Sequence, residues 1–230
     1  MQSVSKSTRR RVSGGVAAAC AMALTGGAMA TGPVNAATPD DGADRVAPRK
    51  AMIKKNGIPY RCKATKKIVN DAIGGPQRFL VNVRVPIAGK FKGGTVVRVG
   101  KVHVDLVMPK RLVKKVRRDL GVKRVRGSAP NVRFQIRSKP GKNFVRKIKG
   151  LRSGWKKLPA NRRLRIPTAG KTANFRIPKR AKREQVWAPK AFRIRAHLNP
   201  PAVGIVPKTA LVCKAMGKPR KRFVGAMKVR

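Results

Sequence analysis

The chain has 230 residues, with 58 Lys and Arg against 7 Asp and Glu, and a formal charge of +51. Seven acids, of which Glu184 is the single glutamate, and two histidines are too few for paired-carboxylate catalysis or for most metal centres. A hydrophobic content of 41% is nonetheless too high for a basic chain that stays unfolded, so a packed domain is expected.

The first 36 residues read as an export signal. Lys6, Arg9, Arg10 and Arg11 form a positive start, and Val16–Ala30 is an uncharged, Ala-rich stretch too short to span a bilayer. Val34-Asn35-Ala36 then offers the small residues that a signal peptidase reads. Thr8-Arg9-Arg10-Arg11-Val12 partly matches a twin-arginine signal, so the route stays open. Cleavage removes four cations and no acid, leaving +47 on 194 residues. It also leaves two cysteines, Cys62 and Cys213, and an even pair in an exported chain reads as a disulfide. No later apolar run is long enough for a membrane span.

Residues 37–57 are read as a linker, polar and breaker-rich at Thr38-Pro39-Asp40-Asp41-Gly42. Alternation follows. Phe79, Val81, Val83 and Val85 share one parity, and Arg78 and Arg84 share the other. The same holds for Val102, Val104, Leu106 and Met108 against His103 and Asp105. It recurs for Val132, Phe134 and Ile136 against Arg133 and Arg137, and for Phe192, Ile194 and Ala196 against Arg193 and Arg195. Thr209, Leu211 and Cys213 close the series. Period two with one apolar face predicts half-buried antiparallel strands. Gly93-Gly94, Pro140-Gly141, Pro167, Pro178 and Pro200-Pro201 are read as breaks between them. The pattern predicts an all-β, immunoglobulin-like antiparallel β-sandwich over residues 58–213.

One segment has period 3.6. Leu112, Val113, Val116 and Leu120 fall on one stripe between Pro109 and Gly121, predicting a single short helix with its apolar face on the core. Residues 214–230 hold seven Lys and Arg and no acid, and are read as a basic C-terminal tail.

These landmarks resemble those of a family of actinobacterial secreted domains of unknown function. The likeness rests on Tyr60-Arg61-Cys62-Lys63, the strand ending Val85-Pro86, and the strand ending Leu106-Val107-Met108-Pro109. It continues through Leu120-Gly121-Val122, Gly127-Ser128 and Leu211-Val212-Cys213, covering roughly residues 58–215. The resemblance implies an exported β-sandwich with a signal peptide and two cysteines at the domain ends. It brings no catalytic residue and no ligand.

Little in the chain carries chemistry. His103 and Asp105 share a strand face, but no nucleophile motif places a serine such as Ser128 beside them. The two cysteines and two histidines lack metal-ligand spacing, and no phosphate-loop frame is present. No enzyme activity, cofactor, metal or small-molecule substrate is therefore expected. What remains is charge: residues 46–230 hold 53 basic and 4 acidic residues. Arg84, Arg133, Arg137, Arg193 and Arg195, on the outward parity of predicted strands, are the candidate polyanion-binding residues. For an exported chain the expected partners are wall polymer, an anionic lipid surface or DNA, in the cell envelope or outside it. The alternative is an intracellular nucleic-acid-binding protein of ribosomal or chromosomal type. Such proteins lack a cleavable signal and a terminal cysteine pair.

Overall fold

A computed structural model describes residues 52–87, 90–201 and 207–230. The export signal and most of the linker lie outside the described residues. In chain order the strands are β1 (Met52–Ala64), β2 (Gln77–Pro86), β3 (Lys90–Phe91), β4 (Val96–Val97), β5 (Val102–Met108), β6 (Arg124–Ser128), β7 (Val132–Lys139) and β8 (Asn143–Arg152). They continue as β9 (Lys156–Lys157), β10 (Leu164–Thr172), β11 (Phe175–Arg176), β12 (Arg183–Trp187), β13 (Ala191–Asn199), β14 (Lys208–Ala215) and β15 (Phe223–Val229). Among the described residues the α-helices are α1 (Lys67–Ala72) and α2 (Lys110–Arg118), and a 3-10 turn spans Pro219–Arg222.

The all-β expectation holds. The expected division into two open, face-packed sheets does not. Strands β8-β10-β5-β2-β1-β14-β13-β6 pair antiparallel in that order, and β6 returns to β8 where Ser128 faces Arg152. An eight-stranded barrel results. Alternation alone does not distinguish the two forms, because a barrel wall and a sandwich layer each need one apolar face. Closure also removes the open edges that a sandwich leaves.

Strand β8 belongs to two structures at once. Its first half, Asn143–Ile148, pairs with β7, and its second half pairs with β10 and β6. The change happens at a bulge. The β8–β10 register shifts between Ala169 and Lys171, and Gly150 in the bulge has φ +77°, a backbone conformation that side chains resist. The strands approach so closely there that a Cβ on Gly170 would lie 2.5 Å from the Lys149 carbonyl oxygen. Beyond β7 a second sheet continues through β12 and β15. The basic C-terminal segment, read as a tail, thus supplies a paired strand. Its Arg222 is buried and donates to the Ala188 carbonyl at 3.2 Å.

Each end of the barrel is covered. Helix α2 links β5 to β6, which lie three places apart round the barrel, and buries Leu112, Val113 and Val116 as its stripe predicts. Helix α1, not foreseen, turns the chain from β1 to β2 at the same end. At the other end the second sheet lies against β1: the Tyr60 hydroxyl donates to the Pro189 carbonyl at 2.8 Å, and β15 brings Gly225 against Ile53. Pro167, expected to break the chain, sits inside β10 opposite Asp105, with its ring exposed on the outer face.

Cys62 and Cys213 face each other across β1 and β14 and form the disulfide. The bond joins early and late strands 151 residues apart. In the chain-entropy model such a loop contributes about 5 kcal/mol. Apolar side chains fill the barrel from both ends but not completely. A cavity of about 110 Å³ remains along the axis, lined by residues of all eight barrel strands. By the usual scaling of cavity volume, leaving it empty costs about 2–3 kcal/mol.

Candidate functional site

Because side chains alternate across a strand, the register of the barrel decides which outward residues become neighbours. On the wall formed by β2, β1, β14, β13 and β6 they are mostly cations. Arg78 faces Arg61, which faces Lys214. Lys63 and Arg193 flank Val212. Arg195 faces Ser128, which faces Arg152. Lys208 faces His197, which faces Arg126, and Arg124 faces Lys157. The lysines and arginines of these rows are exposed.

Like charges directly opposite on neighbouring strands destabilise a sheet. Here the repulsion has no internal relief. The four acids of the described residues all lie elsewhere: Asp71 on α1, Asp119 beside Arg118 after α2, Asp105 on β5 and Glu184 in the second sheet. His197 registers the resulting field. Burial, then Arg126 and Lys208, hold its pKa below the ordinary histidine value. At the foot of the wall, Arg117, Arg162, Arg163 and Arg165 join Lys157 around a groove. A concave arrangement of one sign of charge focuses the potential.

The other faces differ. On the β2–β5–β10 wall Asp105 is buried beneath Arg165, whose Nε donates to Oδ2 at 2.9 Å, and Arg84, whose Nη2 lies 3.5 Å from the same oxygen. Asp105 therefore serves as a counter-charge to cations, with no nucleophile at hand. On the second sheet Gln135, Gln185, Trp187, Val145 and Ala226 surround a single cation, Arg137, and other cations such as Arg133 and Lys147 stand at the rim.

Of the sequence candidates, Arg193 and Arg195 lie together on the cationic wall. Arg84, on β2, is drawn toward Asp105 of the adjacent β5, and Arg133 and Arg137 stand on the second sheet. Arg137 is occupied structurally: its guanidinium stacks 4.4 Å from the Trp187 ring and donates to Gln135 Oε1 at 3.3 and 3.2 Å. Arg61, Lys63, Lys214, Arg124 and Arg126 were missed. No alternation is read in the sequence over β1 or β6, and the pairing that assembles these residues joins separate parts of the chain.

The landmarks of this barrel, both cysteines included, fall within a recognised sequence family. The model of a family of unknown function, DUF6801, matches residues 59–221. The chain belongs to the DUF6801 family. The matched span of this DUF6801 chain takes in seven barrel strands whole and the last six residues of β1, along with both helices and the disulfide. It stops before β15. No curated protein and no solved structure is matched. In this DUF6801 member no group of three or more metal-ligating side chains occurs among the described residues, and no helix there is long and apolar enough to cross a membrane.

Proposed function

We propose that the protein is an exported, non-catalytic component of the cell envelope that associates through charge with phosphate-bearing envelope polymers. The observation that carries this reading is the register of the barrel wall, which sets Arg78 against Arg61 and Lys214, and Lys208 against His197 and Arg126, with no acid between them. Such rows are unfavourable alone and become favourable when a polyanion lies across them. Each phosphate contact releases condensed counterions, so affinity falls steeply with salt; six to ten contacts correspond to a loss of about 10³–10⁵ between low and physiological salt. Outward faces of rigid strands hold the cations in place without reading a sequence of bases. Anionic lipid surfaces and extracellular DNA present the same chemistry and should compete for the wall. Export is supported by the signal-like residues 1–36, and the Cys62–Cys213 disulfide suits an oxidising compartment better than a cytosol. The resemblance to a family of secreted domains points the same way.

The test is retention of the purified chain on immobilised phosphate-rich wall polymer and on DNA across a salt gradient. Strong retention at low salt, lost on both matrices over the same range, is expected. Absence of retention at low salt, or binding indifferent to salt, would overturn the reading.

A further inference from the structure

We propose that the barrel interior is a binding site for a small uncharged hydrocarbon group. This goes beyond the charge-driven role and stands on a different observation. Val83, Val104, Leu106, Ala196 and Leu211 point at the barrel axis, yet they are only half-buried. In a filled barrel of eight strands, axial side chains interlock and lose their accessible surface. Small residues explain the gap: Ala196 faces Gly127 across β13 and β6, so that level of the barrel lacks a large side chain.

The lining also defines the ligand's chemistry. The inward-facing hydroxyls are engaged, Thr168 donating to the Val104 carbonyl at 2.6 Å and Tyr60 to Pro189 at 2.8 Å, while Arg126 and Ser128 border the cavity on the outward parity of β6. A charged or strongly polar guest would find no partner and lose its hydration. An apolar guest replaces empty space with contacts. Cavities of about 150 Å³ with apolar walls stay dry and take up benzene, and 110 Å³ suits one ring or a short alkyl chain. The site holds its guest unchanged, as a ligand and not as a substrate.

The experiment is a titration of the full chain with benzene, followed by methyl NMR and by thermal melting at low and high salt. Saturable shifts at Val83, Val104 and Leu211 and a raised Tm, the same at both salt levels, are expected. Val104→Phe and Ala196→Leu each fill the space and should weaken benzene affinity at least about tenfold; either variant suffices if the other does not fold. Competition distinguishes two sources of the group. Displacement of benzene by neutral monohexanoylglycerol identifies an acyl tail, and displacement by hexane alone identifies a free hydrocarbon. The proposal is overturned by the absence of saturable shifts up to the solubility limit of benzene, or by equal affinity in a folded, filled variant. Salt independence separates this outcome from the fate of the polyanion reading.

Discussion

Glu184 shows how far one residue can depart from the surrounding chemistry. It is the single glutamate of a strongly cationic chain, yet no cation pairs with it. It is fully buried on β12, where Ser138 Oγ donates to Oε2 at 2.9 Å and Oε1 has no partner. Burial pushes its pKa up, and the Ser138 hydrogen bond offsets this only partly. The sign of the consequence follows. Between the unfolded value, about 4.5, and the raised folded value, the native state keeps a proton that the unfolded chain has lost. Stability from this group is therefore greatest below pH 4.5 and falls as pH rises through the folded value. Glu184→Gln, which keeps the shape without the charge, should melt above the parent at pH 7, the gap closing below about pH 4.5 in paired thermal melts. A melt below the parent at pH 7 would mean that the carboxylate is stabilised by something else. None of this was legible in the sequence, where Arg183-Glu184-Gln185 has the look of a solvated stretch. Only the pairing of Glu184 with Ser138 across β12 and β7 turns it inward.

Single elements were easier to read than their arrangement. β2, β5, β7, β13 and β14 showed alternation because most of their inward positions are Val, Ile, Phe or Leu. β8 and β10 escaped it. A bulge at Gly150 resets the parity of β8, and Pro167 and Gly170 look like breaks in β10. α2 was legible from its stripe, while α1 is only six residues long and has too few turns to show a period. The cationic wall belongs to this scale, since it exists only as rows across strands. His197, in the row between Lys208 and Arg126, should report on it. Adding salt, or a soluble polyphosphate, screens the two cations, so the pKa of His197 should rise toward 6.5 in an NMR titration. Because the folded value is the lower one, this residue adds stability as pH rises from it to 6.5, and salt should shrink that effect. A pKa indifferent to both additives would show that burial alone sets it and that the wall carries little field.

At the scale of the whole molecule, two pairings decide the fold: β1 with β14, and β6 with β8. The first joins segments 151 residues apart and the second skips over β7, and neither pairing shows in local alternation, which is why strand content was foreseeable and barrel closure was not. The disulfide holds the first of them. A Cys62→Ser, Cys213→Ser chain should lose about 2–5 kcal/mol, seen as a lower Tm that matches the reduced parent. Unchanged melting would mean that the β1–β14 seam holds without its covalent link. The barrel also distributes the charge unevenly, which composition alone conceals. Asp105 and two arginines occupy one wall, uncharged side chains around the stacked Arg137 centre the second sheet, and unpaired cations fill the wall between β2 and β6. The reading of the protein as a polyanion binder depends on this unevenness. A surface that was merely basic throughout would bind in any orientation. Arg193→Glu with Arg195→Glu reverses charge at the centre of the wall, diagonal to Lys214, Lys208 and Arg126. It relieves repulsion, so the fold should keep its Tm. Arg133→Glu makes a comparable change at the rim of the second sheet. The decisive measurement is the slope of log affinity against log salt for a phosphate-rich wall polymer in these two variants. The wall variant should lose roughly two units of slope, and the rim variant should stay close to the parent. Equal per-residue loss in both, or no loss from the wall variant, would contradict the account.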